Sequence, residues 1–261
     1  MRRALPRFVP AVLLAVALLA AWELYCDLGG VQGAVLPAPH AVASALWDNA
    51  GLLGHNFAVT AEEVVLGLAL ALAAGLAMAV AIHLSPLLRR AFYPLAVGSQ
   101  AVPIPVIGVL LVFWWGFGIF PKLVVIALIC FFPVLVTTID GLASLDPERA
   151  KLLRTLDASR WQTLRFAELP AALPAALSGA RIALAVGVIG AFIAETSTPT
   201  TGTYTGLGRE IVLDAGGFQT ARAYAATALL FAFAIVCFHS LAVAERRLAP
   251  WRRTAAPGAA R

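Results

Sequence analysis

The sequence predicts an all-α membrane protein with six transmembrane helices, and three observations carry that prediction. Of its 261 residues, 61% are hydrophobic and 13% charged, against about 45–50% and 25% in soluble domains. Apolar runs recur at the length of about 20 residues that a hydrocarbon core of about 30 Å demands. Lys and Arg gather in alternate connections between those runs, which is how orientation is written into a multi-pass chain. Lipid cannot satisfy backbone N–H and C=O groups, so spans this apolar must be helices.

The first span covers residues 8–26 and follows Arg2, Arg3 and Arg7 in a short tail, 1–7. The apolar run continues through Trp22, Leu24 and Tyr25 without a small-x-small cleavage site, so it reads as a retained signal anchor. Residues 27–59 form an outer segment in which Leu36-Pro37-Ala38-Pro39-His40 leads into a short helix over Ala41 to Asn49. A core of five further spans occupies 60–244, at 60–83, 96–117, 121–139, 172–194 and 221–244, and a basic tail follows over 245–261.

The second span carries Gly67, Ala71, Gly75 and Ala79 at four-residue spacing. This small-residue stripe admits a second backbone at close range. In the third span Pro103 and Pro105 distort the helix start, and Trp114-Trp115-Gly116-Phe117-Gly118 combines interface aromatics with a glycine turn. An irregular helix pair is expected there, of the kind that lines transporter paths.

The connections fix the orientation. Cations lie in the N-terminal tail, at Arg89 and Arg90, at five positions between Asp146 and Pro170, and in the C-terminal tail. The 27–59 connection has none, and 195–220 holds only Arg209. Both termini and the long hairpin are therefore expected in the cytoplasm.

That hairpin is the most informative segment. Asp146-Pro147-Glu148 has the pattern of a helix start, with an N-cap acid, proline in the first position and an acid near the positive dipole end. The helix is expected to reach Leu156; Asp157-Ala158 turns, and Ser159 with Gln162 forms a capping box for a second short helix that Pro170 ends. Leu152, Leu153 and Leu156 give the first helix an apolar face, as Trp161 and Leu164 do for the second. An apolar face in water wants a partner.

The run Leu156-Asp157-Ala158-Ser159-Arg160-Trp161-Gln162-Thr163-Leu164, with Leu169-Pro170-Ala171-Ala172-Leu173-Pro174 and Gly179-Ala180-Arg181, resembles the cytoplasmic loop of ABC importer permeases. Leu36 to Pro39, Trp114 to Gly118, Ala194-Glu195 and Gly206-Leu207-Gly208 are similar to the sulfonate, taurine, nitrate and thiamine-precursor branch, and the likeness spans roughly residues 36–245. The resemblance implies a type I importer permease fold with a coupling-helix loop. It implies a homodimer in the bacterial inner membrane, a separate ATPase docked on the loop, and a periplasmic or lipid-anchored solute-binding protein. The docking loop would use Glu148, Lys151, Leu152, Leu153, Leu156, Asp157, Ser159, Trp161, Leu164, Leu169 and Pro170. The chain departs from the family where its Glu-Ala-Ala falls on Lys151-Leu152-Leu153 and its glycine on Asp157. Those differences bear on which ATPase surface is recognised.

No enzyme signature convenes. There is no Ser-His-Asp set, no paired-carboxylate site, no metal-ligand spacing around Cys26, Cys130, Cys237, His83 or His239, and no glycine-rich loop ending in Gly-Lys-Ser or Gly-Lys-Thr for phosphate. The cations sit at span ends, unlike the basic patches of nucleic-acid binders. No cofactor is expected; membrane lipid is the remaining surrounding partner. Pro103, Arg181 and Glu195 are the candidates for a path or gate, because ionisable groups and broken helices inside a membrane default to function. Glu23, Asp27, Glu62 and Glu63 read as interfacial acids, and His83 and His239 as packing residues. A secondary transporter driven by an ion gradient is the alternative, though acids crowd the outer ends rather than the midplane.

Overall fold

A computed structural model describes residues 9–29, 35–198 and 204–248, and every regular element among them is helical. The tails 1–7 and 249–261 lie outside the described residues. In order these are α1 (Val9–Leu28), α2 (Pro39–Asp48), α3 (Ala50–Leu84), α4 (Pro86–Gly98), α5 (Ile104–Trp115), α6 (Ile119–Ala143), α7 (Pro147–Thr155), α8 (Arg160–Thr163), α9 (Leu169–Ser197), α10 (Leu207–Gly216) and α11 (Thr220–Leu248). Among the described residues, five helices are long and apolar enough to cross a membrane; α4 and α5 supply a sixth crossing if taken together.

That pair corrects the third span. Residues 96–117 do not form one helix: α4 ends at Gly98, a 3₁₀ turn covers Ser99–Ala101, and α5 leaves at an angle of 102°. Val102 is extended because the ring of Pro103 excludes the helical region for the residue before it. With its 12 residues, α5 reaches only about 18 Å.

Three further boundaries move. The second span begins at Ala50, ten residues before the expected start at 60, so α3 at 1.5 Å per residue is about 52 Å long and projects beyond the lipid. The outer segment shortens accordingly. The 195–220 connection contains α10, which alternation of charge alone does not announce. The second hairpin helix does not stop at Pro170. It continues from α8 through a wide π turn at Leu164–Glu168 into α9. The π turn rearranges the hydrogen-bond ladder just where Pro170 lacks its N–H, so the proline sits in the first turn of α9 without breaking it.

The core is α6 held between α3 and α9. Val64, Ala71, Val125, Ile126, Cys130, Val134, Ala183 and Ala191 are buried there together. The small-residue stripe of α3 meets α6 along its length. A Cβ at Gly67 would fall 2.6 Å from Ile126 Cγ2, and one at Gly75 would fall 2.8 Å from Val134 Cγ1. Those neighbours are β-branched and stiff. Gly67→Val is therefore expected to cost about 1–3 kcal/mol by overpacking, read as a lowered thermal midpoint of the detergent-purified chain. Gly54→Ala, whose new methyl meets nothing within 4 Å, should hold or raise the midpoint, because alanine favours the helix over glycine.

Candidate functional site

The hairpin forms as its caps dictate. Asp146 accepts a hydrogen bond from the Glu148 N–H at 2.9 Å, with Pro147 opening α7. Asp157 takes the left-handed conformation (φ 51°), which Asp tolerates better than most residues, and the Ala158 N–H donates to the Leu153 carbonyl at 3.1 Å. The capping box is complete: the Gln162 N–H donates to Ser159 Oγ at 3.3 Å, and the Ser159 N–H donates to Gln162 Oε1 at 2.8 Å.

Glu168, which is buried, anchors this hairpin to the bundle. It accepts from Arg160 at 2.5 Å and meets Nε2 of His83, at the end of α3, at 3.0 Å. His83 is thus a tie rather than a packing residue. The sequence signal that could have found this was an isolated acid directly before Leu169-Pro170.

Around the anchor the expected docking residues divide. Leu156 is 69% exposed and Trp161 61%, and Leu152 and Leu169 are exposed as well. Glu148, Lys151, Asp157 and Ser159 also face outward. Leu153 is half-buried and, with Arg149, Leu152, Phe166 and Pro170, lines a groove of about 780 Å³. Leu164 requires correction. It is fully buried against Leu142 and Ala172, because the π turn rotates it toward α6, and it offers nothing to a docking surface. Phe166, 71% exposed, takes the place that periodicity assigned to Leu164.

The three path candidates do not come together. Pro103 is exposed at the bend and precedes α5. Arg181 pairs with Glu245 and lies 5.2 Å from the centre of the Phe238 ring, fastening α9 to α11. Glu195 is completely buried. Its Oε1 accepts from Thr60 at 2.6 Å, while Oε2 accepts from the N–H groups of Gly208 at 2.5 Å and Arg209 at 3.1 Å. It therefore caps the positive end of α10.

Glu195 also explains Gly206 and Gly208, where any Cβ would run into its carboxylate or the α9 backbone. Beside it, fully buried Lys122 donates to Glu63 Oε1 at 2.7 Å and to the Tyr204 carbonyl at 2.8 Å. Glu63 is therefore a buried ion-pair member, not an interfacial acid. Asn56 reaches Glu210 at 3.3 Å, and Arg222 joins Glu210 at 3.2 Å and also pairs with Asp214. Together these groups form a clasp, at the end of the bundle away from the hairpin, that ties α3, α6, α9, α10 and α11. Gly206→Ala should displace Glu195 and loosen α10, seen as faster amide exchange across Leu207–Gly216 with the hairpin unaffected.

At the C-terminal end of α1, Glu23 pairs with His40 of α2, and Asp27 lies beside them. The hydrogen bond and charge of Glu23 raise the His40 pKa above 6.5, with Asp27 adding to the effect. A raised pKa means the link is fully present below pH 6.5 and is lost as pH climbs through the folded value. Glu23→Gln should return the His40 titration midpoint toward 6.5, as followed by its ring NMR signals.

The comparisons with known proteins agree with this architecture. Residues 71–254 match the family described as binding-protein-dependent transport system inner membrane component. A probable ABC transporter permease protein of Haemophilus influenzae is 34% identical over 90% of this chain and 94% of its own length. A riboflavin transport system permease protein of Chloroflexus aurantiacus is 32% identical over 95% of this chain and 94% of its own. A taurine transport system permease protein of Escherichia coli is 32% identical over 90% and 86%. A crystal structure of an amino acid ABC transporter shares the fold with a TM-score of 0.63 at 15% identity, over 77% of this chain and 96% of that one. The chain belongs to the family of binding-protein-dependent transport system inner membrane components and is a multi-pass, non-enzymatic ABC importer permease subunit whose ATP is hydrolysed by a separate ATPase.

Proposed function

We propose that this permease imports a small polar or anionic organic solute of the sulfonate, taurine, nitrate or pyrimidine-precursor type. It works as a homodimer with both termini in the cytoplasm. Each copy seats its α7–α8 hairpin in a groove on an ATPase subunit and receives solute from a periplasmic or lipid-anchored binding protein. ATP-driven closure of the ATPase pair draws the hairpins together and tilts the spans.

The observation that carries this reading is the hairpin itself. Leu152, Leu156, Trp161 and Phe166 stand in water on a rigid, doubly capped turn, while buried Glu168 links the turn to α3 through His83. A force applied at Trp161 therefore reaches two spans at once. The run of cations between Asp146 and Pro170 supports the cytoplasmic placement. The exposed apolar face of α5 (Val106, Val109, Leu110 and Phe113) supports a second copy across the path. Relatives named for riboflavin and for taurine support a small-solute importer.

The ion-gradient alternative has no support. Glu63 and Glu195 are engaged by Lys122, Thr60 and the N-terminal amides of α10.

Reconstitution of the permease with its ATPase and binding protein in liposomes tests the proposal. Uptake of one of taurine, an alkyl sulfonate, nitrate or a formylaminopyrimidine should require ATP. Uptake driven by a proton or sodium gradient without ATP would contradict it.

A further inference from the structure

A groove of about 620 Å³ runs between α3, α9 and α11, beside the hairpin. Its walls are Leu72, Leu76 and Val80 of α3, Leu173 and Leu177 of α9, and Leu241 of α11. Leu72, Leu76 and Val80 lie one turn apart on a single helix face, so this wall extends about 12 Å along α3. It starts near the hairpin end and runs toward the middle of the span, which is the course of a lipid acyl chain.

Two polar groups interrupt the apolar lining, and they sit at different depths. Thr138 of α6 is 2% exposed, and its hydroxyl has no hydrogen-bond partner among the described residues. It is five residues before the end of α6, about 8 Å from that end. A buried hydroxyl without a partner is unfavourable, and Thr138 is one of the residues lining the groove, so an acceptor entering there would relieve it. Arg165 lies in the π turn, at the hairpin end of the groove, and is exposed. Among the described residues it makes no ion pair; its guanidinium lies 5.8 Å from the centre of the neighbouring Phe166 ring. Arg246 and Arg247, exposed at the same end of α11, add positive potential.

We propose that this groove binds an anionic glycerophospholipid. One acyl chain fills the apolar channel, an ester carbonyl accepts from Thr138, and the headgroup phosphate rests on Arg165. The orphan hydroxyl at ester depth and the free cation at headgroup depth favour a lipid over a second copy of the chain, which would need an apolar side chain at one level and an acid at the other. Guanidinium matches phosphate through paired hydrogen bonds. The site adjoins Leu169 and Pro170, where α9 emerges from the hairpin, so a bound lipid would brace the segment that transmits force. The leaflet assignment rests on the orientation proposed above, but the binding test does not depend on it.

The test is native mass spectrometry of the delipidated full-length chain with phosphatidylglycerol or phosphatidylcholine added. Wild type should retain phosphatidylglycerol preferentially. Arg165→Gln should lower that retention about fivefold and phosphatidylcholine retention by less, because the choline cation already offsets its phosphate, and Arg90→Gln, away from the groove, should change neither. Ala176→Phe, which fills the groove, should abolish retention of both. A photoreactive-acyl phosphatidylglycerol on wild type provides a readout free of folding defects, and its adducts should map to α3 and α9 around Leu76 and Leu177. Equal retention of the two lipids, an unaffected Arg165→Gln variant, or adducts elsewhere would overturn the proposal. So would dissociation of a dimer by Ala176→Phe, which would show that a second copy occupies the groove.

Discussion

Lys122→Met is expected to destabilise the protein by about 3–5 kcal/mol, because it strips a buried carboxylate of its counter-charge. Lys122 and Glu63 are both fully buried, with Nζ shared between Glu63 Oε1 and the Tyr204 carbonyl. The second oxygen of Glu63 has no hydrogen-bond partner among the described residues, so nothing else is in place to hold the charge. The double variant Lys122→Met/Glu63→Leu should recover most of the loss, since replacing a whole buried pair by apolar groups of similar volume is often close to neutral. Thermal unfolding in detergent reads both variants. A single variant that melts with wild type, or a double variant no better than the single, would show that the pair does not carry the clasp.

Leu152→Asp/Leu156→Asp is expected to abolish coupling while leaving the bundle folded. Both side chains are exposed, so the charges meet water in the isolated chain. On docking, the same carboxylates would enter an apolar groove unpaired, which removes far more than the burial the leucines contribute. Permease-dependent ATP hydrolysis should fall to the level of the ATPase alone. Leu164→Asp gives the useful contrast. It buries a charge against Leu142 and Ala172, so the fold itself should fail along with coupling. If the exposed pair also lowered the thermal midpoint, the hairpin would be part of the fold rather than a docking surface.

Much of this was legible because it depends on neighbours in sequence. Asp146-Pro147, the Ser159–Gln162 box and the left-handed turn at Asp157 are local rules, and each holds in the structure. Apolar length located the spans for the same reason. The third span failed in part because hydropathy measures apolar content, not direction, and Pro103 bends a run that remains apolar throughout. The continuous helix through Pro170 was hidden because a π turn leaves no mark on periodicity.

The site was less legible than the fold. Glu195 reads as an isolated acid until α10 folds back and presents its amides, and Glu63 stands 59 residues from the lysine that neutralises it. His83 and Glu168 are 85 residues apart and share no pattern. Pairing of this kind is decided by helix packing, which a single sequence does not encode locally.

The most direct measurement is copurification of tagged full-length chain from native membranes, wild type beside Leu152→Asp/Leu156→Asp at matched expression and matched thermal midpoint. Recovery of an ATPase subunit with wild type and its loss with the variant is the predicted result. Equal recovery of that subunit with both chains would contradict a docking role for the α7–α8 hairpin.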